Sequence, residues 1–99
     1  MAKVVLIVHF TVNPGSEQTA RRLMKGMETE TRKEPGCRAY VGLQSRDNPL
    51  AFSFYEEYDD QATMDAHWAS PYFAEHVTNG LMPLCATREM MLHTMVSEG

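Results

Sequence analysis

The sequence predicts an α+β domain, an antiparallel sheet with helices on one face, in the order β-α-β-β-α-β. Three observations carry this. Residues 3–13 are β-branched and mostly apolar and stop at Pro14-Gly15, as a strand with two largely buried faces does. A stretch of helical period follows at once. Two further strand-like runs, split by the turn Asp47-Asn48-Pro49, then read as a β-hairpin ahead of a second helical region and a closing strand.

Along the first strand, Val4, Leu6, Val8, Phe10 and Val12 share one face, and Val5, Ile7, His9, Thr11 and Asn13 the other. Ser16 is positioned to cap the next helix, with Glu17 complementing its positive end. Ala20, Leu23, Met24, Met27 and Thr31 fall at helical spacing on one face, with charge opposite. Glu34-Pro35-Gly36 ends that helix, because the residue before a proline is pushed out of the α region. Residues 37–46 and 50–58 form the hairpin strands. Asp59 or Asp60 caps a short helix through Trp68, and Ser70-Pro71 restarts the helix with a serine cap and a proline at its first position. Asn79-Gly80 supplies a left-handed stop. Residues 84–96, alternating Met, Leu, His and Thr, close the domain as a long strand.

A chain of 99 residues is expected to form one domain spanning residues 1–99. A domain this small hides only roughly 60–65% of its unfolded surface, yet 43% of its residues are hydrophobic. In the ferredoxin-like arrangement of this element order the helices cover one sheet face and leave the other bare. The economical cover for that face is the sheet of a second copy, which predicts a homodimer. The formal charge of −4, with 13 acidic and 9 basic residues, excludes a strongly basic nucleic-acid footprint. Arg21, Arg22, Lys25, Arg32 and Lys33 read as a solvated helix face, with Glu17–Arg21 and Glu28–Arg32 at ion-pair spacing. Cys37 and Cys85 form neither a CxxC nor a Cys/His spacing, so no zinc framework or disulfide is predicted. The apolar run at 4–8 is too short for a membrane span and lacks a cleavage site, so a reduced cytoplasm is the expected location.

Four segments carry a resemblance to a known family. They are Phe10-Thr11-Val12-Asn13-Pro14-Gly15 before an amphipathic helix, and Glu34-Pro35-Gly36-Cys37 at a helix-to-strand corner. The third is the strand end Phe52-Ser53-Phe54-Tyr55-Glu56-Glu57-Tyr58-Asp59, similar to an E-x-W-x-[D/S] pattern with tyrosine in place of tryptophan. The fourth, Ala66-His67-Trp68-Ala69-Ser70-Pro71-Tyr72-Phe73, is similar to an A-H-x-x-S-x-x-F stretch. In this order, over nearly the whole chain, the set resembles antibiotic-biosynthesis-monooxygenase domains. The resemblance implies a dimeric α+β barrel with a pocket between sheet and helices in each subunit. It also implies one of several activities: oxidation of phenols, quinols or anthrone-like polyketides by O₂ without flavin, haem or metal; haem degradation; isomerisation of a phosphorylated sugar; or ligand binding alone.

Cofactor-free oxygenation needs an apolar slot, a base poised near neutral pH and a donor for the developing oxyanion. Phe10, Phe54, Met64, Trp68, Tyr72 and Phe73 are the candidates for the slot. His67, within the family-like motif, is the expected proton acceptor or donor, since histidine titrates near pH 7. Glu56 and Glu57 end the third strand, and alternation sends one of them inward. An inward carboxylate needs a partner, and Arg88 on the last strand is a candidate. The Trp68-to-His76 spacing resembles the haem-degrading branch, but Val8 stands where that branch has asparagine, so haem chemistry is not expected. His9 and His93 become neighbours if the first and last strands pair, without a ligand set for a metal. The leading expectation is therefore a cofactor-independent monooxygenase of a small phenolic or quinol substrate. An isomerase of a small phosphorylated metabolite and a non-catalytic ligand-binding dimer are the alternatives.

Overall fold

A computed structural model describes residues 3–98. Its elements are β1 (Val4–Val12), α1 (Glu17–Thr31), β2 (Cys37–Gln44), β3 (Ala51–Tyr58), α2 (Gln61–Trp68), α3 (Pro71–Phe73) and β4 (Cys85–His93). From α3 the chain runs on through π-helical turns, Ala74–Leu81, and a 3₁₀ turn, Met82–Leu84. The strands form one antiparallel sheet in the order β2-β3-β1-β4, and the helices pack on one side of it, as predicted.

The alternation within each strand sorts the two faces. Leu6, Phe10 and Val12 of β1 and Phe52, Phe54, Glu56 and Tyr58 of β3 are buried on the helix side. There Phe10 stacks on Phe52 and Phe54, with centroids 5.7 and 6.0 Å apart. Helix α1 closes this core with Ala20, Met24, Met27 and Thr31, the helical stripe the sequence predicts. The opposite face is open over most of its area, with Val5 buried on it. His9 bonds Ser53 Oγ at 2.8 Å, Thr11 bonds Thr87 at 2.7 Å, and Tyr55 donates to Glu57 at 2.9 Å.

Several local expectations are corrected. Ser16 makes no side-chain cap; its φ and ψ are already helical, and Glu17 turns back to accept from the Gly15 N–H at 2.6 Å. With Glu17 engaged there, Arg21 donates instead to Gln44 at 2.5 Å, whereas Glu28–Arg32 pairs as expected at 3.2 Å. Asp60 caps α2 through Thr63 N–H, and Ser70 caps α3 through Phe73 N–H.

Asn79-Gly80 is not a stop. The helical path continues to Leu81, and the only positive φ values among the described residues belong to Gly15 and Gly36. Gly80 is needed for close approach instead, because a Cβ there would stand 3.0 Å from Leu23 Cδ1 and 3.1 Å from the Glu75 carbonyl. The last strand is shorter than 84–96. It ends at His93, and Val96–Glu98 forms a 3₁₀ turn whose Glu98 accepts from Lys3 N–H at 2.9 Å. His9 lies opposite Glu89 and His93 opposite Val5, so the two histidines are not paired across the strands.

Candidate active site

Between the sheet and the helices lies a cavity of about 400 Å³. Its sheet wall is Leu6, Val8 and Phe10 of β1, Tyr40 of β2, Phe54 and Glu56 of β3, and Cys85, Arg88, Glu89 and Met90 of β4. Trp68, Phe73, Val77 and Leu81 form its helix wall. These residues converge because inward positions on neighbouring strands lie in register. Phe10 is opposite Phe54's neighbour Phe52 and opposite Arg88, Val8 opposite Phe54 and Met90, and Tyr40 opposite Glu56.

Six of the residues singled out in the sequence therefore line one cavity: Phe10, Phe54, Glu56, Trp68, Phe73 and Arg88. Three do not reach its wall. Met64 is fully buried with Leu6 and Tyr58. Tyr72 packs against the main core, and its buried hydroxyl has no partner among the described residues. His67 is 1% exposed and stands behind the cavity, enclosed by the rings of Tyr40, Tyr58, Tyr72 and Phe73 at 5.3–6.3 Å. His76 turns towards α1, its Nε2 where a Cβ on Gly26 would come within 2.7 Å, and its Nδ1 lies 3.0 Å from the Tyr72 carbonyl.

Of the two strand-end glutamates, Glu56 faces inward and is 3% exposed, while Glu57 is on the open face with Tyr55. Arg88 is not the partner of Glu56. The carboxylate accepts a 2.5 Å hydrogen bond from the Tyr58 hydroxyl, and its Oε1 is 3.9 Å from His67 Nε2. The other imidazole nitrogen, Nδ1, lies 3.2 and 3.3 Å from the two oxygens of Glu34. Sequence reading placed Glu34 at a helix end and in a family-like corner, and Tyr58 in the family-like strand pattern, without giving either a role, and did not single out Tyr40. The signal available for Tyr58 was its period-two spacing from Glu56.

Burial sets the protonation of this cluster. It raises Glu56 to about 7, with the Glu34 charge adding to the rise and the Tyr58 hydrogen bond opposing it. Burial also raises Glu34 to about 7 and lowers His67 to about 4. Near neutral pH an uncharged imidazole thus stands between two carboxyls that each hold a proton part of the time. Neither tyrosine joins in this exchange, because burial and the neighbouring carboxylates push the Tyr40 and Tyr58 hydroxyls up.

Fold and site together define a small α+β domain that encloses an apolar, aromatic-walled chamber with one buried titratable carboxyl in its wall. The sequence pattern of the antibiotic biosynthesis monooxygenase family matches residues 3–79, and the chain belongs to that family. It is 33% identical over 73 residues to "Putative monooxygenase Rv0793" of Mycobacterium tuberculosis, covering 74% of this chain and 71% of that protein. The solved structure of Rv0793 superposes with a TM-score of 0.85 over 93% of both chains, at 26% identity. Two further structures share the fold. PA3566 of Pseudomonas aeruginosa has a TM-score of 0.90 at 22% identity, covering 97% of this chain and 96% of its own. A variant of SnoaB from Streptomyces nogalater, described as a cofactor-independent oxygenase, has a TM-score of 0.84 at 23% identity, covering 97% and 95%.

Proposed function

We propose that this protein is a cofactor-independent monooxygenase that oxidises a small phenolic or quinol substrate with O₂. The observation that carries the reading is Glu56, a buried carboxyl with a pKa of about 7 in the wall of an otherwise largely apolar, aromatic chamber. A general base works best when its pKa lies near the operating pH. A phenol seated between Phe54, Phe73 and Trp68 with its hydroxyl at Glu56 loses its proton to that carboxylate. The phenolate, now electron-rich, gives an electron to O₂, and the radical pair joins at a ring carbon that bears hydrogen. The peroxide anion so formed takes back the proton held by Glu56, and loss of water from the hydroperoxide leaves a carbonyl there, so one oxygen atom enters the product, the other leaves as water and Glu56 is again a carboxylate. His67, the expected proton acceptor or donor, stands behind Glu56 instead of at the substrate, with its Nε2 3.9 Å from that carboxyl. The description of SnoaB as a cofactor-independent oxygenase supports the same chemistry. An anionic, phosphorylated substrate fits less well, since Arg88 is the only cation among the described residues that line the chamber, and Glu56 and Glu89 there oppose a further negative charge. Oxygen uptake on a panel of reduced quinones and polyphenols, with spontaneous oxidation subtracted, tests the reading. Saturable uptake supports it, and a rate equal to background on every compound removes it.

Tyr58→Phe is expected to move the acid limb of the pH–rate profile upward. The hydroxyl holds Glu56 below the value that burial alone would give, so without it the carboxylate forms only at higher pH. A profile unchanged by this substitution would show that Glu56 is not the titrating base.

We further propose that the working unit is a homodimer formed through the open sheet face and the β4 edge. Met90, Met91 and Leu92 of this edge strand are 54%, 43% and 52% exposed, and Leu43 on the open face 51%. Such an unpaired apolar edge invites pairing. Sedimentation should give twice the chain mass for the wild type, and Met91→Glu should shift it towards the single-chain mass. A wild type that sediments at the single-chain mass would refute the pairing.

A further inference from the structure

Met24, Met27 and Met64 are buried in the cores, but three sulfur side chains, Met82, Cys85 and Met90, line the chamber itself. In register, Val8 stands between Phe54 and Met90, and Leu6 lies beside Glu56. Met90 is therefore two strand spacings from Phe54, about 10 Å, and one inward step along the strands, about 7 Å, from the row of Glu56. A phenol seated on Phe54 with its hydroxyl at Glu56 extends across Val8 and turns its far edge, the para carbon, towards Met90. The ortho carbons stay beside Glu56. We propose that Met90 is a self-oxidation site, whose thioether takes an oxygen atom from the hydroperoxide formed at that far carbon, and that the methionine sulfoxide so made limits the number of turnovers. The inference rests on the reading of the chamber as an oxygenase site.

The step competes with loss of water from the hydroperoxide. A lone pair on Met90 Sδ attacks the outer peroxide oxygen, the S–O bond forms and the O–O bond breaks. The hydroperoxide proton moves to the inner oxygen, which stays on the ring as a hydroxyl. The ring hydrogen at that carbon then leaves as a proton, the dienone carbonyl gains one, and an aromatic quinol results. Methionine has lost two electrons and the hydroperoxide has gained two. On this branch the second atom of O₂ ends in the sulfoxide instead of in water. It occurs at most once per chain, so the bulk of the product is unchanged. A sulfoxide is polar and chiral where the thioether was apolar, so the wall then holds an aromatic ring less well. Thiol-dependent sulfoxide reductases reverse the change.

Met90 is better placed than the other sulfurs. Its three rotatable bonds let the thioether reach into an irregular space. The Cys85 thiol donates to the Leu81 carbonyl at 3.3 Å, and burial raises its pKa, so it stays protonated, whereas the thiolate is the reactive form. Met91 is as open to solvent as Met90, 43% against 54%, but it lies opposite Ile7 and faces the other side of the sheet. An oxidant from bulk solvent meets both residues, and an oxidant made in the chamber meets only Met90. Reaction from inside the chamber needs no access from solvent, so a second copy covering the β4 edge leaves it possible.

Two measurements test this. In the first, the best phenol is turned over under isotopically labelled dioxygen, with catalase present to destroy free hydrogen peroxide, and the digested protein is analysed by mass spectrometry. Met90 should gain one labelled oxygen atom as the rate decays, with Met91 unlabelled, and Met90→Leu should lose the decay relative to its own initial rate. Turnover that leaves Met90 unlabelled, or labels it no more than Met82 and Met91, overturns the proposal and leaves the oxygenase standing. So does a Met90→Leu protein that decays as the wild type does. The second measurement needs no turnover. Resting protein is treated separately with cumene hydroperoxide, an aromatic hydroperoxide, and with hydrogen peroxide, which needs no chamber to reach a thioether. The ratio of Met90 to Met91 oxidation should be several-fold higher with the aromatic reagent, and equal ratios overturn the proposal. A wild type without oxygen uptake sinks the oxygenase reading, and the two ratios then decide by themselves whether the chamber delivers a hydroperoxide to Met90.

Discussion

Glu56→Gln is expected to lower kcat for quinol or phenol oxidation by about 100- to 10,000-fold, the range that a positioned general base contributes. Glutamine has nearly the same shape, and its carbonyl oxygen still accepts from Tyr58, so the chamber keeps its form. What it loses is the ability to take a proton. In the wild type the base must be ionised to act, so the rate should climb as pH rises through about 7, where Glu56 gives up its proton. In the variant that limb disappears. Stability moves the other way. A carboxyl whose folded-state pKa lies above its unfolded value of 4.5 makes the native state the one that binds more protons. Its contribution is therefore fully present below pH 4.5 and is lost as pH rises through about 7. Removing it should flatten the fall in stability across that window. A Glu56→Gln protein that is slow because it has unfolded would melt early; this one is expected to melt no earlier than the wild type at neutral pH.

The largest effect on stability is expected at Met27→Ala. Met27 is fully buried at the centre of the α1–sheet contact, in one cluster with Met24, Phe52, Phe54 and Tyr40. Truncating a buried methionine removes its transfer free energy and leaves a cavity that the rigid sheet cannot collapse into. The cost is about 2–5 kcal/mol. In a domain of this size each kcal/mol lowers Tm by roughly 4–8 °C, so a fall of at least about 10 °C should appear at fixed protein concentration. Because the chamber is walled by α2, α3 and the strands rather than by α1, the folded variant should keep its KM. A loss below about 1 kcal/mol would mean that α1 is not anchored as described.

Much of the fold was legible because its signals are local. Strand alternation grouped Val4, Leu6, Val8, Phe10 and Val12 on one face and required one of Glu56 and Glu57 to point inward, without saying which. The helical stripe Ala20–Met24–Met27–Thr31 identified the buried side of α1, and Pro14-Gly15 and Pro35-Gly36 marked the corners. Where local signals failed, a tertiary contact had taken over. Gly80 next to Asn79 looks like a helix stop, but it is glycine so that Leu23 can approach. Glu17 followed by Arg21 looks like an ion pair, but both side chains found partners outside the helix.

The site was half legible for the same reason. A period of two sorts the residues of β1 and β3 into two faces, though not which of Glu56 and Glu57 belongs to the inner one. On α2, by contrast, His67 and Trp68 are adjacent, and their phase about a helix of only two turns is set by docking. Nothing in the sequence says that Trp68 takes the chamber wall and His67 the buried place behind it. The partner of Glu56 was sought in the nearest cation of the last strand, Arg88, whereas a neutral donor two residues away, Tyr58, supplies the bond. Glu34 lies 33 residues from His67, and only the folded corner brings them together.

The account turns on one claim, that a phenol ionised in this chamber reacts with O₂ and keeps one of its atoms. The direct measurement is turnover of the best quinol or phenol under isotopically labelled dioxygen, with product and water analysed by mass spectrometry and Glu56→Gln run beside the wild type. The account predicts one labelled oxygen atom in the product, the other in water, and almost no labelled product from the variant. Product oxygen drawn from the solvent, hydrogen peroxide as the sole fate of the label, or equal labelling by the variant would contradict it.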